Sequence, residues 1–334
     1  MKTQLLKNLT AGAALTLGLA TLALPMSQAG ATSTKYFGCV QSGILSKVSL
    51  SAHTCPKGTK AVSGNLAGAN FTNAILTGAN LTGANLKTAK LSGVTSGNIV
   101  GKPSALPAGW TLAQGYLVGP MANLANANLT GANLTGANLS GAILYSANLT
   151  NTNFTNANLK GASISSSTLT GANFTGATLT GVISAYLVGT PASLPTNWEI
   201  ANGSYQGNPV AYLVGPGASI GGAQLPGLTF SNQTLSGIYL AGAKLVGSSF
   251  SGASLTNANL ASANLEQVDF TGADLTGSNL TNADFEGANF TNANFTNANL
   301  SGARLLSVAG ASLATFTGAT CPDGVLYGSP GANC

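Results

Sequence analysis

Few groups in this chain could act as acids, bases or metal ligands: seven carboxylates, one imidazole and four thiols among 334 residues. The single histidine, His53, stands two places before Cys55, and every acid except Glu199 falls at or after Glu266. A serine or cysteine nucleophile needs a base within reach and a third group to orient that base. No such grouping is credible here. Paired carboxylates working as acid and base would have to come from Glu266, Asp269, Asp274, Asp284 and Glu286. Glu266 and Glu286 stand at i and i + 20, and so do Asp284 and Arg304. Two readings of these acids stand: an acidic face that takes a cation or a basic partner, or solvated outward slots that Asn and Thr fill elsewhere. An ion pair between Asp284 and Arg304 is expected. The stretch from Gly215 to Gly222 has no lysine and no helical pattern after it, so it is not a phosphate loop. The expectation is a non-enzyme with no catalytic residue, no cofactor and no metal.

Residues 1–31 read as a secretory signal. Lys2 and Lys7 make its positive end, Leu9 to Leu24 a weakly apolar run, and Ala29-Gly30-Ala31 a cleavage site cut after Ala29 or Ala31. The alternative is a membrane anchor, but the run is shorter than the roughly 20 residues a span needs. The expected location is outside the cell. In an exported chain an even cysteine count suggests disulfides. Cys39, Cys55, Cys321 and Cys334 allow three connectivities, and proximity favours 39–55 and 321–334. Zinc would need more ligands nearby than His53.

Only 6% of the residues are charged, against roughly 25% in an ordinary domain. A hydrophobic content of 44% argues against disorder. Without Lys2 and Lys7 the net charge falls from +5 to +3, so nucleic-acid binding is not implied. From Thr32 to Thr170 there are eight lysines and no acid, while from Gly171 onward there are seven acids and two basic residues.

Biased composition of this kind directs attention to repeats. Residues 127–141 read ANLTG ANLTG ANLSG. Taking each large apolar residue as a centre, centres run from Leu66 to Leu91, Leu124 to Leu179 and Ile220 to Leu305, 36 in all. A period of five matches neither a helix nor a strand. In an extended chain the Ala two places before the centre shares its face. The next Ala, three places later, does so only if the chain turns at the Thr-Gly or Thr-Asn step, with residues that suit turns. Each repeat is therefore one short side and one corner. Phe230, Phe250, Phe270 and Phe290 recur at a constant interval of four repeats, and Phe154 and Phe174 share it. Four sides per coil would therefore stack Phe on Phe. Thirty-six repeats then make nine coils, a stack roughly 43 Å tall at the ~4.8 Å spacing of paired strands.

The ANLTG units and Ala273–Gly277 (ADLTG) resemble the pentapeptide-repeat family. The resemblance implies an all-β fold, a right-handed quadrilateral parallel β-helix. Segments around Cys39 and Cys55, and Thr320 to Gly324, resemble cystine caps of exported bacterial members. Some members resemble B-form DNA and bind topoisomerase as acidic cytoplasmic dimers. This chain departs from that pattern in its export signal, its basic charge and its cystine cap.

Two related segments interrupt the repeats. One holds GKPSALPAGW (101–110) and YLVGP (116–120), the other GTPASLPTNW (189–198) and YLVGP (212–216). Each reads as two strands around a polar turn, lying against a solenoid face or projecting from it. Trp110 and Trp198, with Tyr116 and Tyr212, either close the insertion by packing or contact a ligand. The organisation expected is a signal peptide (1–31), an N-terminal cystine cap (32–63), repeat block 1 (64–93), insertion 1 (94–121), block 2 (122–181), insertion 2 (182–217), block 3 (218–317) and a C-terminal cystine cap (318–334). The function expected is a structural or adhesive scaffold, a monomer whose partner is a cell-envelope component or a protein.

Overall fold

The structure is a computed structural model. It describes residues 66–328 and, for the backbone alone, three earlier strands. The chain divides into two compact units after Leu124. The expected signal peptide, Cys55 and Cys334 lie outside the described residues.

In the first unit β1 (Phe37–Gln41) pairs antiparallel with β2 (Ile44–Ser49) on one side and β3 (Lys60–Ser63) on the other. From Leu66 onward the five-residue pattern becomes a coil. In the second unit, parallel pairs Asn128↔Asn148, Asn133↔Asn153, Asn138↔Asn158 and Ile143↔Ser163 mark four successive sides, and Asn148↔Thr168 returns to the first. The coil therefore has four sides, and position i lies beside i + 20. Each side is held by bonds to the next coil: Leu129 N–H donates to Asn148 O (2.9 Å), and Asn148 N–H donates to Ala127 O (2.9 Å).

The corners follow from residue type. Ala132 N–H donates to Leu129 O (2.9 Å), closing a turn whose third residue, Gly131, has φ 65°. This left-handed region costs a residue with a Cβ roughly 1–2 kcal/mol, least for Asn, so Gly and Asn dominate the position. The asparagine before each centre also builds the corner: Asn128 Oδ1 accepts from Thr130 N–H (3.2 Å) and from Thr130 Oγ1 (2.7 Å).

Inside, the Ala and centre positions are almost wholly buried. Phe154 stacks on Phe174 at 4.9 Å, Phe230 on Phe250 at 5.0 Å, and Phe250 on Phe270 at 5.6 Å. The stack breaks at Phe290, which meets Phe270 edge-on (6.2 Å) because Phe285 and Phe295 crowd it at 5.1 and 4.6 Å.

Three expected boundaries need correction. Thr95, Val100 and Ala105 still pair with Ile75, Asn80 and Asn85, so the coil runs past residue 93. Ile183, Val188 and Ser193 likewise pair with Ser163, Thr168 and Asn173, so it runs past 181. The centres there are Ser96, Gly101, Ser184 and Gly189, and the apolar signal fades while backbone pairing, which needs no side chain, continues. Near the C-terminus a 3₁₀ turn at Ala311–Leu313 absorbs one extra residue, and the register becomes Asn294↔Thr315. Phe316, Ala319 and Cys321 then fill core positions, so the repeat continues beyond 317. Among the described residues no helix is long and apolar enough to cross a membrane.

Candidate functional site

The true insertions are two hairpins. In the first unit β4 (Thr111–Ala113) pairs with β5 (Tyr116–Val118); in the second, β6 (Glu199–Tyr205) pairs with β7 (Asn208–Val214). Both close by one device. Ser96 and Ser184 occupy centre positions, and their hydroxyls accept from Leu117 N–H and Leu213 N–H, each at 2.9 Å. Leu117 and Leu213 are themselves fully buried, so a hairpin leucine supplies the apolar bulk the serine lacks. Trp110 packs on Gly119 and Trp198 on Gly215 so closely that a Cβ at either glycine would overlap the indole. Both indoles also rest against the buried core. Tyr116 lies over Gly97. The structure thus places both tryptophans in packing roles.

The second hairpin has longer strands than the first, and its extension lies on the coil wall. A Cβ at Gly203 would overlap the Gln224 carbonyl oxygen, and the Tyr212 phenol oxygen accepts from Gln224 N–H (3.2 Å). Gly203→Ala should therefore lift the extension from the wall, costing about 1–3 kcal/mol as overpacking does. Faster hydrogen exchange at the Gln224 amide would report it, and an unchanged rate would mean the extension is not docked there.

Burial pushes the Tyr212 hydroxyl above its ordinary range, the Gln224 bond opposes this, and Tyr186 nearby adds to the rise. The native state then holds this proton more tightly than the unfolded chain does. The contribution is fully present below the ordinary tyrosine value of about 10 and is lost as pH climbs beyond it. The loss of stability above that pH should be shallower in Tyr212→Phe than in the parent, as measured by urea denaturation across the alkaline range.

Beside this hairpin opens a cavity of about 460 Å³. Tyr186, Tyr205, Tyr212, Tyr239, Ile183 and Gln224 line it, and no charged side chain is among the lining residues. Tyr212 is buried, whereas Tyr186, Tyr205 and Tyr239 remain 49%, 42% and 45% exposed.

The five carboxylates do not share one face, although Glu266, Asp284 and Glu286 fall on the same side. Asp284 shares a ladder with Asn264 and Arg304, Asp269 with Ser249 and Asn289, and Asp274 with Ser254 and Asn294, so the five acids spread over three sides. The single acidic face is corrected on that ground: acids align only when four repeats separate them, and most of these are closer. Each has local work. Asp269 and Asp274 accept from Thr271 and Thr276 N–H at 3.0 Å. Glu266 Oε1 accepts from Asn264 Nδ2 (3.1 Å). Arg304 Nη1 meets Asp284 Oδ2 at 3.0 Å, as its spacing led us to expect, and it also pairs with Glu286. Bonds to Glu286 and Asp284 hold the exposed guanidinium above its usual value. Cys321 is buried.

The family model for pentapeptide repeats matches in eight copies, over residues 63–93, 122–161, 142–181, 234–272 and 269–305. This chain belongs to the pentapeptide-repeat family. Members form right-handed quadrilateral β-helices, in agreement with the four-sided coil. No curated protein matches the chain. Among solved structures it is similar to HetL, a pentapeptide-repeat protein involved in heterocyst differentiation regulation in the cyanobacterium Nostoc, with 27% identity over 78% of this chain and 92% of that one (TM-score 0.33). It is also similar to a pentapeptide-repeat protein of the Arabidopsis thaliana thylakoid lumen, with 42% identity over 25% of this chain and 64% of that one (TM-score 0.20). QnrB1, a plasmid-mediated fluoroquinolone resistance protein, shows 20% identity over 56% of this chain and 72% of that one (TM-score 0.30).

The pattern departs from the pentapeptide repeat at the cavity, as it also does at Ile75, Val100 and Val188. The slot before the centre, usually Asn, Asp, Thr or Ser, holds Ile143, Ile183 and Tyr239 on a single ladder. Tyr186 occupies the left-handed corner position at φ 55°. None of Tyr186, Tyr205, Tyr239, Ile183 or Gln224 stood out in the sequence analysis. The signal that would have found them is an apolar or aromatic residue in a slot the repeat keeps polar or small.

Proposed function

We propose that this chain is an exported, non-catalytic β-helix scaffold that acts at or outside the bacterial envelope by binding through its surface. The observation that carries the reading is the uncharged tyrosine-lined cavity on a wall whose carboxylates are each engaged in local bonds. Export is supported by the basic, apolar and small-residue succession of residues 1–31. The cystine pairs 39–55 and 321–334 belong to the same reading, supported by the burial of Cys321 and by the lack of a free thiol among the described cysteines. So do the monomeric state and a partner that is an envelope component or a protein rather than a nucleic acid.

The test is sedimentation of purified mature protein with peptidoglycan, lipid vesicles and envelope glycans at low and high salt. Salt-resistant co-sedimentation with one of them is expected. Failure with all three, beside N-terminal sequencing that finds residues 1–31 retained on the protein in cells, would overturn the proposal.

A further inference from the structure

We propose that the tyrosine-lined cavity beside the second hairpin binds a neutral oligosaccharide. This rests on the surface-binding reading above and names the ligand class. The cavity, at about 460 Å³, lies within the roughly 300–1,000 Å³ range of ligand sites. Its lining carries no charge, so an anionic or cationic ligand would lose hydration without a counter-charge. What the lining does offer is aromatic faces and neutral polar groups. Flat rings pack well against the C–H faces of sugar rings, and phenol, serine and amide groups exchange hydrogen bonds with sugar hydroxyls.

Three observations separate this arrangement from ordinary solenoid wall. First, Tyr186 adopts φ 55°, a conformation that is an outlier for a bulky residue. In the first hairpin's copy of the same corner the residue is Asn98, at φ 51°. The fold therefore meets this corner with asparagine, and the tyrosine is not required for it. Such outliers concentrate at functional sites. Second, the outward ladder through Ile143, Ser163, Ile183, Ser219, Tyr239 and Asn259 carries its large apolar members at Ile143, Ile183 and Tyr239, and the last two line the cavity. Third, the extension of β6 and β7 exists in the second copy alone. It carries Tyr205 to the cavity and covers the wall at Gln224.

Gln224 also argues against a proline-rich peptide, the other common ligand of aromatic grooves. Its Nε2 donates to Gly222 O at 2.7 Å, which leaves Oε1 as an acceptor. A sugar hydroxyl can donate to it; a polyproline segment has no N–H to give.

The experiment is calorimetric titration of the full mature protein with cellotetraose, chitotetraose and maltotetraose, and separately with decaproline. The variants are Tyr186→Asn, Tyr239→Asn, and a deletion of 202–205 together with 208–211. The two substitutions install the residue the repeat uses at those slots. The deletion leaves Ala-Gln-Gly-Tyr, the sequence that closes the shorter hairpin at Ala113–Tyr116. The two substitutions should keep the parent's thermal transition; the deletion, which removes buried Val210 along with the extension, should lower it but leave it cooperative, and these transitions check folding. At least one tetrasaccharide should bind the parent, and each variant should weaken it about tenfold, the effect of losing ~1.4 kcal/mol. Binding of decaproline alone, tetrasaccharide binding that the variants leave unchanged, or no binding by any probe would each overturn the proposal. If the parent still sediments with an envelope fraction in those cases, and the variants sediment equally, the surface-binding reading stands and the cavity assignment falls.

Discussion

Replacing Leu213 with alanine is expected to lower the unfolding free energy by about 2–5 kcal/mol, the range for truncating a buried leucine. The residue sits in what reads as an insertion, yet it is fully buried and its N–H is bonded to Ser184. Ser184 stands where the repeat elsewhere has a large apolar centre, and Leu213 provides the bulk in its place. A second expectation follows from the same geometry. Ser184→Leu restores the consensus centre, but it should destabilise by about 1–3 kcal/mol because it overpacks an occupied space, and it also removes an acceptor from a buried N–H. The double variant should recover part of the loss, since the new leucine fills the volume that the old one vacates. Urea denaturation of the two single variants and the double variant provides the measurement. Strict additivity would show that the two side chains do not share that space.

Phe270→Ala is the other large effect, expected to cost about 3–5 kcal/mol. Its ring lies 5.6 Å from Phe250, 5.9 Å from Phe285 and 6.2 Å from Phe290, so it joins the stacked series to the crowded cluster. In a solenoid each coil contacts only its neighbours. Hydrogen exchange should therefore quicken chiefly in the coils that hold these four rings, and much less around Phe154 and Phe174. Uniform loosening of the whole second unit would show instead that the unit opens as a single block.

Much of this was legible in the sequence because the repeat makes each residue's neighbours predictable. Once four pentapeptides close a coil, residue i lies beside residue i + 20, and the pairing of Asp284 with Arg304 follows without further information. The same rule could have warned that the acids would scatter. Asp274 follows Asp269 by one repeat and Asp284 follows Asp274 by two, so the three belong to different sides.

The rest was hidden where the repeat consensus lapses. Glycine or serine at a centre looks like the end of a block, yet the coil continues through Ser96, Gly101, Ser184 and Gly189 because its rungs are backbone hydrogen bonds. For the two tryptophans the sequence allowed either packing that closes the insertion or contact with a ligand. Only the packing shows each laid on a glycine that a Cβ would fill.

By itself, then, the sequence determined the coil: its period, its four sides, its apolar interior and its polar corners. These depend on local turn chemistry repeated at a constant interval. The tertiary structure alone decided where the hairpins fold back, which leucines replace missing centres, and that Tyr186, Tyr205, Tyr212 and Tyr239 meet around one cavity. Those residues are separated by irregular intervals, and no local rule relates them. Their meeting depends on how a chain without periodicity packs against one that has it.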